Sequence, residues 1–511
     1  MKIVIVGGGT AGWLTALYTK KVYPHNEVVL VESEELGILG AGEGSTPHLI
    51  SFLDFLEIPV SDLIKNCYAT IKNGIKFSNW GIKESYFYHP FMSKNSSSND
   101  FNYSLYKFLE EDTNFSHIYA SNFNHKMKDY VLMQKISEKN AVPFLHNSSK
   151  TSSDPLNEFD QISYWSLHFD ANVLAKYLRI VGESRGIVRK EGFVNEIISN
   201  EDGYITSLKT DKETLFCDFV FDCSGFRRLI IGNHYKTIWK SHSDYLPAKK
   251  AIPFFLKKTE DIPAYTESRA MNYGWMWQIP LQHRYGCGYV YDSDFISDSD
   301  AKSELDTFFG FEVESPKTFS FDPGYFTEIW KKNCLAVGLS AGFIEPLEAT
   351  SIMQAIYVLE RFMSNPTNIT TKNTNTINKF NKIFIDETQE VVDFIYLHYI
   401  TKKENTNFWK DFTKNNKVPE FVQYVLDIVE ERPLYNSFDF LEKKFFQSYA
   451  YSYVLLGNEV VGSSILNKHK SFLVTDKTPE YLSIISKQNS TVSHCATHKS
   501  FIDYIKTRKG E

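Results

Sequence analysis

Near its start the chain reads Gly7-Gly8-Gly9-Thr10-Ala11-Gly12, the spacing of a loop that admits a pyrophosphate. Gly7 permits a tight turn, Gly9 lets backbone approach the phosphates, and Gly12 lets a helix pack closely on a sheet. A helix opening at Thr10 and Ala11 offers free N–H groups and a partial positive charge to that anion. Glu32 follows Gly12 by 20 residues. A carboxylate there accepts hydrogen bonds from a ribose hydroxyl pair and repels a 2′-phosphate, which disfavours NADP.

These groups must be held by a strand, a helix and a second strand. Lys2–Val6 reads as a buried strand, 11–23 as a helix and 27–32 as the next strand, a βαβ unit of the size the loop requires. A glycine-rich turn beside a structural Glu would share the loop pattern, but not the whole unit. Further glycine-rich turns recur at Gly40–Pro47, which contains Ala41, Gly42 and Glu43, at Asp222–Arg227, and at Gly338–Gly342. The last follows the strand Cys334–Val337 and is expected to open a helix, with Gly338 and Leu339 at the cofactor. Val194, on the strand Phe193–Ile198, is counted with the cofactor-binding residues. One nucleotide touched by distant turns is how a long FAD lies across such a sheet. No second fingerprint for a nicotinamide cofactor follows, so the flavin is expected to arrive reduced from outside.

The fold class expected is α/β: a Rossmann-like FAD-binding domain, an antiparallel substrate-side sheet over 250–330, and a mainly helical C-terminal part from 379 onward. Residues 173–186 read as an amphipathic helix, and Phe193–Ile198 and Phe216–Asp222 as strands returning to the first sheet. Residues 93–100, 147–155 and 364–378 read as polar loops. Segments 1–90, 160–235 and 325–362 are assigned to a discontinuous FAD-binding box. Segments 91–159, 236–324 and 363–511 are assigned to the substrate-binding part.

The 511 residues carry a net charge of −7 and no basic block, which argues against a nucleic-acid partner. Six scattered cysteines without a Cys-x-x-Cys pair argue against a zinc site or a disulfide framework, so no metal is expected and the compartment reads as reducing, hence cytoplasmic. No run of 18 apolar residues occurs, so no membrane span or membrane partner is expected. Aromatic residues reach 15%, with 40 Phe and 30 Tyr, which suits aromatic-lined pockets.

Several ordered segments resemble the FAD-dependent halogenases of the tryptophan halogenase type. They are Gly7–Trp13, His168-Phe169-Asp170-Ala171, Asp222–Arg227, Gly274-Trp275-Met276-Trp277-Gln278-Ile279-Pro280, Arg284–Tyr291, Gly338–Glu348 and Asp393–Tyr399. The resemblance implies that reduced FAD from a separate, diffusible flavin reductase reacts with oxygen. A bound halide is then oxidised to hypohalous acid. That acid passes through a tunnel to a lysine beside a small aromatic substrate, which is halogenated.

By the same resemblance Lys76 is the tunnel-end lysine, although a lone strand lysine more often snorkels to water. Glu348 is the catalytic carboxylate that stabilises the cationic ring intermediate and accepts its proton. Glu345 competes on chemistry alone. Thr350 and Ser351 match positions whose backbone N–H groups hold the halide. The family commonly has Ser-Thr-Gly where this chain has Ala349-Thr350-Ser351, and the added side chain points to bromide or iodide over chloride. Trp275, Trp277 and Pro280 form the flavin wall that keeps substrate away, or are simply core. His89, Pro90, Phe91 and Tyr449 line the substrate pocket, for which an indole, a phenol or a larger aromatic is expected.

Two other readings stay open: an FAD-dependent monooxygenase acting on an aromatic substrate, and a flavoprotein binding module without turnover. The first would oxidise NADH unaided. The second would not consume an aromatic in the presence of halide and reductase. The sequence leaves homo-oligomer formation open.

Overall fold

Ile3-Val4-Ile5-Val6 is buried at every position, as a strand covered on both faces requires. The computed structural model describes residues 1–36, 42–82, 85–91, 131–315, 317–415, 417–432, 434, 439–440, 442–461 and 478–508. The chain forms two units. The first comprises Met1–Tyr68, Phe169–Ser243 and Asp322–Gln389, and the second Ala69–His168, Asp244–Phe321 and Glu390–Glu511.

The first unit is built on a sheet in the order Val188–Glu191, Glu27–Glu32, Lys2–Val6, Phe219–Asp222, Cys334–Ala336, Trp330–Lys331. The first five strands are parallel and the last is antiparallel. Parallel neighbours need crossovers, and the helices Thr10–Val22 and Ala171–Ser184 supply apolar surface for them. Asp170 caps the second helix, accepting from the Asn172 and Val173 amides at 3.1 and 3.3 Å.

Three expectations are corrected here. The strand Val194–Ser199 does not return to this sheet; it pairs with Ile205–Thr210, which pairs with Thr214–Phe216, in a separate antiparallel ribbon. Its outward residues Asn195, Glu196 and Ile198 are exposed, which the central sheet could not accommodate. The turn at Gly338 closes as a short 3₁₀ turn, Gly338–Ser340, and the long helix starts only at Thr350. Within the supposed loop 364–378 lie a 3₁₀ turn, Pro366–Thr370, and the start of the helix Thr374–Tyr399.

In the second unit a seven-stranded sheet runs Phe319–Ser320, Lys250–Lys257, Arg284–Tyr291, Gly274–Pro280, Thr266–Ala270, Gly74–Ser78, Tyr86–Pro90. It is antiparallel except where Thr266–Ala270 meets Gly74–Ser78. A helix, Asp298–Phe309, not expected from sequence, covers one face with Ala301 and Leu305 buried beside Met276 and Tyr289. Thr70–Lys72 pairs with Ser166–Phe169 instead of joining that sheet. The C-terminal region is helical, as expected. Residues 147–155 form a loop with a short turn, and 93–100 lie outside the described residues.

Candidate active site

In the first unit the three glycine-rich turns meet. Gly7 has φ +116, and a Cβ there would lie 2.2 Å from the Cys223 carbonyl oxygen, so only glycine fits. A Cβ on Gly12 would lie 1.9 Å from the Gly7 carbonyl, and one on Gly338 would lie 2.9 Å from the Ala11 Cβ. The Gly225 amide donates to Ser340 Oγ at 2.8 Å. Asp222 organises the middle turn, its oxygens accepting from the Ser224, Ile230 and Ile231 amides at 3.1, 2.8 and 3.0 Å. Leu339 lies in the same 3₁₀ turn as Gly338.

The helix Thr10–Val22 has Gly9 as its cap, no side-chain cap bond and no acid in its first turn. Nothing lies within 4 Å of where a Gly9 Cβ would stand. Thr10 Oγ1 is buried and has no hydrogen-bond partner among the described residues. An uncapped helix end, an open backbone and an orphaned hydroxyl together make a cradle for an anion.

Glu32 lies at the far side of this loop, with Oε2 only 1.4 Å from where a Gly8 Cβ would be. Val194 follows Gly192, whose amide donates to the Glu32 carbonyl at 2.8 Å. Ala41 falls outside the described residues. Gly42 has φ +95. Burial pushes the Glu43 carboxyl up to about 7, and the Asp170 carboxylate adds to the effect.

Glu345 caps and Glu348 ends the 3₁₀ turn Pro346–Glu348, and they are 1% and 5% exposed. Ala349 then takes φ +55, ψ 39 as the cap of the helix Thr350–Met363. That left-handed residue turns the chain so that the Thr350 and Ser351 amides open the helix with no side chain capping them. Ser351 stands inside the helix, so its backbone does not call for glycine; the strain sits at Ala349.

In the second unit the two lysines on either side of Asn73-Gly74 part company. Lys76 shares a row of its sheet with Tyr88 and Glu267. Its ammonium lies 4.2, 5.5 and 5.9 Å from the rings of Tyr86, Tyr265 and Tyr88. Phe77, Trp277 and Phe87 share the next row and therefore the opposite face. Lys72 is 1% exposed, and its ammonium lies 5.5 Å from the Phe91 ring. Sequence reasoning passed over Lys72. The signal was available: a lysine in the buried run Ala-Thr-Ile-Lys is rarer than one beside exposed turns.

Lys72 shares a strand face with Thr70, and through strand pairing with Ser166 and His168. His168 Nδ1 lies 3.1 Å from Thr70 Oγ1, and Nε2 lies 2.9 Å from Thr266 Oγ1. Thr70 Oγ1 donates to the Pro280 carbonyl at 2.6 Å. Burial, then the Lys72 charge, then His498 hold the His168 imidazole well below its ordinary pKa, so it is neutral. Lys72, beside Phe91, thus shares a strand face with the buried Thr70–His168 pair, which reaches the Pro280 carbonyl.

Trp275 and Trp277 lie on one face with ring centroids 6.0 Å apart, and Trp277 lies over Gly288, where a Cβ would come within 2.0 Å. His89 lies 5.5 Å from the Phe394 ring and 6.4 Å from that of Tyr449. Pro90 precedes Phe91 at the end of the same strand. The structure thus brings His89 and Tyr449 together on one side of the strand and Phe91 to Lys72. Among the described residues no cluster of His, Cys, Asp or Glu could hold a metal, and no helix is long and apolar enough to cross a membrane.

The family model for tryptophan halogenase matches residues 2–471. The chain belongs to the tryptophan halogenase family. The tryptophan 6-halogenase SttH of Streptomyces toxytricini is 30% identical over 445 residues, covering 82% of this chain and 82% of that protein. The tryptophan 7-halogenase RebH of Lentzea aerocolonigenes is 30% identical over 440 residues, covering 80% and 78%. The crystal structure of SttH aligns with TM-score 0.86 at 27% identity, covering 98% of this chain and 99% of that one. The flavin-dependent halogenase Xcc4156 of Xanthomonas campestris aligns with TM-score 0.82 at 25% identity, covering 98% and 97%.

This halogenase is therefore a flavin-dependent enzyme that uses FAD and halide. Its own residues fit the cofactor. The Gly7–Gly12 loop leaves room for backbone to approach a pyrophosphate, and the orphaned Thr10 hydroxyl supplies a donor at that point.

Proposed function

We propose that this halogenase installs bromide or iodide, in preference to chloride, on an electron-rich aromatic such as an indole or a phenol. The observation that carries the aromatic assignment is Lys72, 1% exposed and beside the Phe91 ring. A cation and an aromatic face in one buried site suit a flat, apolar substrate approached by a polar oxidant. The names of the relatives SttH and RebH, both tryptophan halogenases, favour an indole.

FAD, which Gly7, Gly9, Thr10, Ala11, Gly12, Glu32, Gly42, Glu43, Val194, Gly338 and Leu339 would hold, supplies when reduced the oxygen chemistry that turns halide into hypohalous acid. A separate flavin reductase provides that reduced FAD. The Thr350 and Ser351 amides hold the halide at a helix start whose dipole favours an anion. A lysine ammonium donates a hydrogen bond to hypohalous acid and makes its halogen more electrophilic. The halogen passes to a ring carbon, the leaving hydroxide takes the lysine's proton as water, and Glu348 accepts the ring proton.

Two lysines compete for that role. Lys76 is the one expected from sequence. Lys72 is favoured by its burial beside Phe91 and by sharing a strand face with Thr70, whose hydroxyl donates to the Pro280 carbonyl. Trp275 and Trp277 wall off the flavin, and His89, Pro90 and Tyr449 border the substrate.

The test is a screen of small aromatics with chloride, bromide and iodide, using a flavin reductase and NADH, read by mass shift. Halide-dependent product is expected only when reductase is present. Oxygenated product without halide would replace this reading by a monooxygenase.

A further inference from the structure

The acid expected at the ribose is not alone. Arg189 lies on Val188–Glu191, the edge strand that pairs in parallel with Glu27–Glu32. Its Nε donates to Glu32 Oε1 at 2.6 Å. Its Nη2 reaches Glu34 Oε1 at 3.0 Å and also bonds Glu191 Oε2. Both partners of the first contact are largely withdrawn from water, with side chains 12% and 13% exposed. The other Glu32 oxygen, Oε2, lies over Gly8 and has no hydrogen-bond partner among the described residues. The carboxylate is therefore divided, one oxygen taken by the guanidinium and one turned to the loop.

We propose that Arg189 is the positioning residue of the adenosine end of the FAD site. It fixes the Glu32 carboxylate so that Oε2 alone faces the loop, ready to accept from a ribose hydroxyl. The proposal rests on the reading that Gly7–Gly12 and Glu32 take the adenosine half of FAD. The physical need is plain. Glu32, Glu34 and Glu191 converge on Arg189, and without its cation their mutual repulsion would leave the Glu32 carboxylate without a fixed orientation. A guanidinium has enough donors in one plane to bind all three. The competing role is purely structural: a clasp between an edge strand and its neighbour.

FMN separates the two, because it lacks the adenosine half. Binding of oxidised FAD and of FMN to the full chain is measured by fluorescence quenching. Arg189→Met is expected to weaken FAD binding about tenfold, the low end of what removing an outer partner that orients a binding group costs, with FMN binding unchanged. Glu32→Gln should weaken FAD binding to a similar degree, and the double variant should be no worse than either single one. Arg189→Lys should restore only part of the loss, since an ammonium keeps the charge but not the planar set of donors. Equal losses for FAD and FMN in Arg189→Met would overturn the proposal in favour of the clasp. An unchanged FAD affinity in Arg189→Met, with a loss in Glu32→Gln, would overturn it while leaving the site reading intact. No loss in Glu32→Gln would remove the site reading itself.

Discussion

The Lys72 ammonium lies 5.5 Å from the centre of the Phe91 ring, on a strand outside the sheet that carries Lys76. The two lysines are four residues apart, yet Gly74 between them takes φ +152 and sends the chain into a second sheet. Their surroundings differ accordingly, and the chemistry asked of a halogen-bearing lysine can be assigned by experiment to one of them.

Lys72→Ala is expected to lower product formation by at least about 100-fold, the usual scale for removing a polarising donor. An electron-rich trap in solution should still detect hypohalous acid in that variant. Lys76→Ala should retain product within about threefold, since losing its cation–π contacts removes only a small packing contribution. The reverse pattern, read by mass spectrometry of product, would return the role to Lys76.

Glu348→Gln keeps the shape of the 3₁₀ turn and removes the base. The turnover number should fall about 100-fold, with FAD affinity unchanged. Glu345→Gln serves as the comparison, and a larger loss there would move the assignment three residues upstream.

Ser351→Gly is expected to raise the ratio of chlorinated to brominated product in competition at equal halide concentrations. Chloride dominating already in the parent enzyme would reject the proposed preference. Ala349→Gly should raise stability by about 1 kcal/mol, measured by urea unfolding, because φ +55 disfavours a side chain.

His498 gives an acid-sensitive clasp on the lysine strand. Its Nε2 accepts from the Ile71 amide at 2.8 Å while Nδ1 donates to the Ile262 carbonyl at 2.9 Å, which requires the neutral ring. Burial pushes its pKa from an ordinary 6.5 to about 4. The unfolded chain therefore binds more protons between these values. Stability is fully present above pH 6.5 and falls as pH drops towards 4, by about 3 kcal/mol at most. His498→Gln should flatten that part of the unfolding profile.

Glu43 works in the opposite sense. Burial, reinforced by Asp170, raises its carboxyl from 4.5 to about 7. Here the folded chain holds more protons, so stability falls as pH rises through that window. Glu43→Gln should remove this slope and leave the protein more stable at pH 8 by an amount on the order of 1–3 kcal/mol. A difference between pH 5 and pH 8 that Glu43→Gln leaves unchanged in calorimetry would exclude a Glu43 carboxyl raised to about 7.

By itself the sequence determined the cofactor unit. Gly7, Gly12 and Glu32 act through local backbone freedom, helix polarity and strand ends, all written within about 30 consecutive residues. It determined the strand character of Gly274–Pro280 and the helical tail for the same reason, since periodicity is local. The tertiary structure alone decided that Val194–Ser199 leaves the central sheet, because sheet membership depends on which distant edge a strand finds. It also decided which lysine meets Phe91. That choice rests on the Thr70–Lys72 pairing with Ser166–Phe169, and on His498 gripping Ile71 from 427 residues away. Nor does the pattern around Glu32 reveal that Arg189 holds its carboxylate, since the two meet only across paired strands.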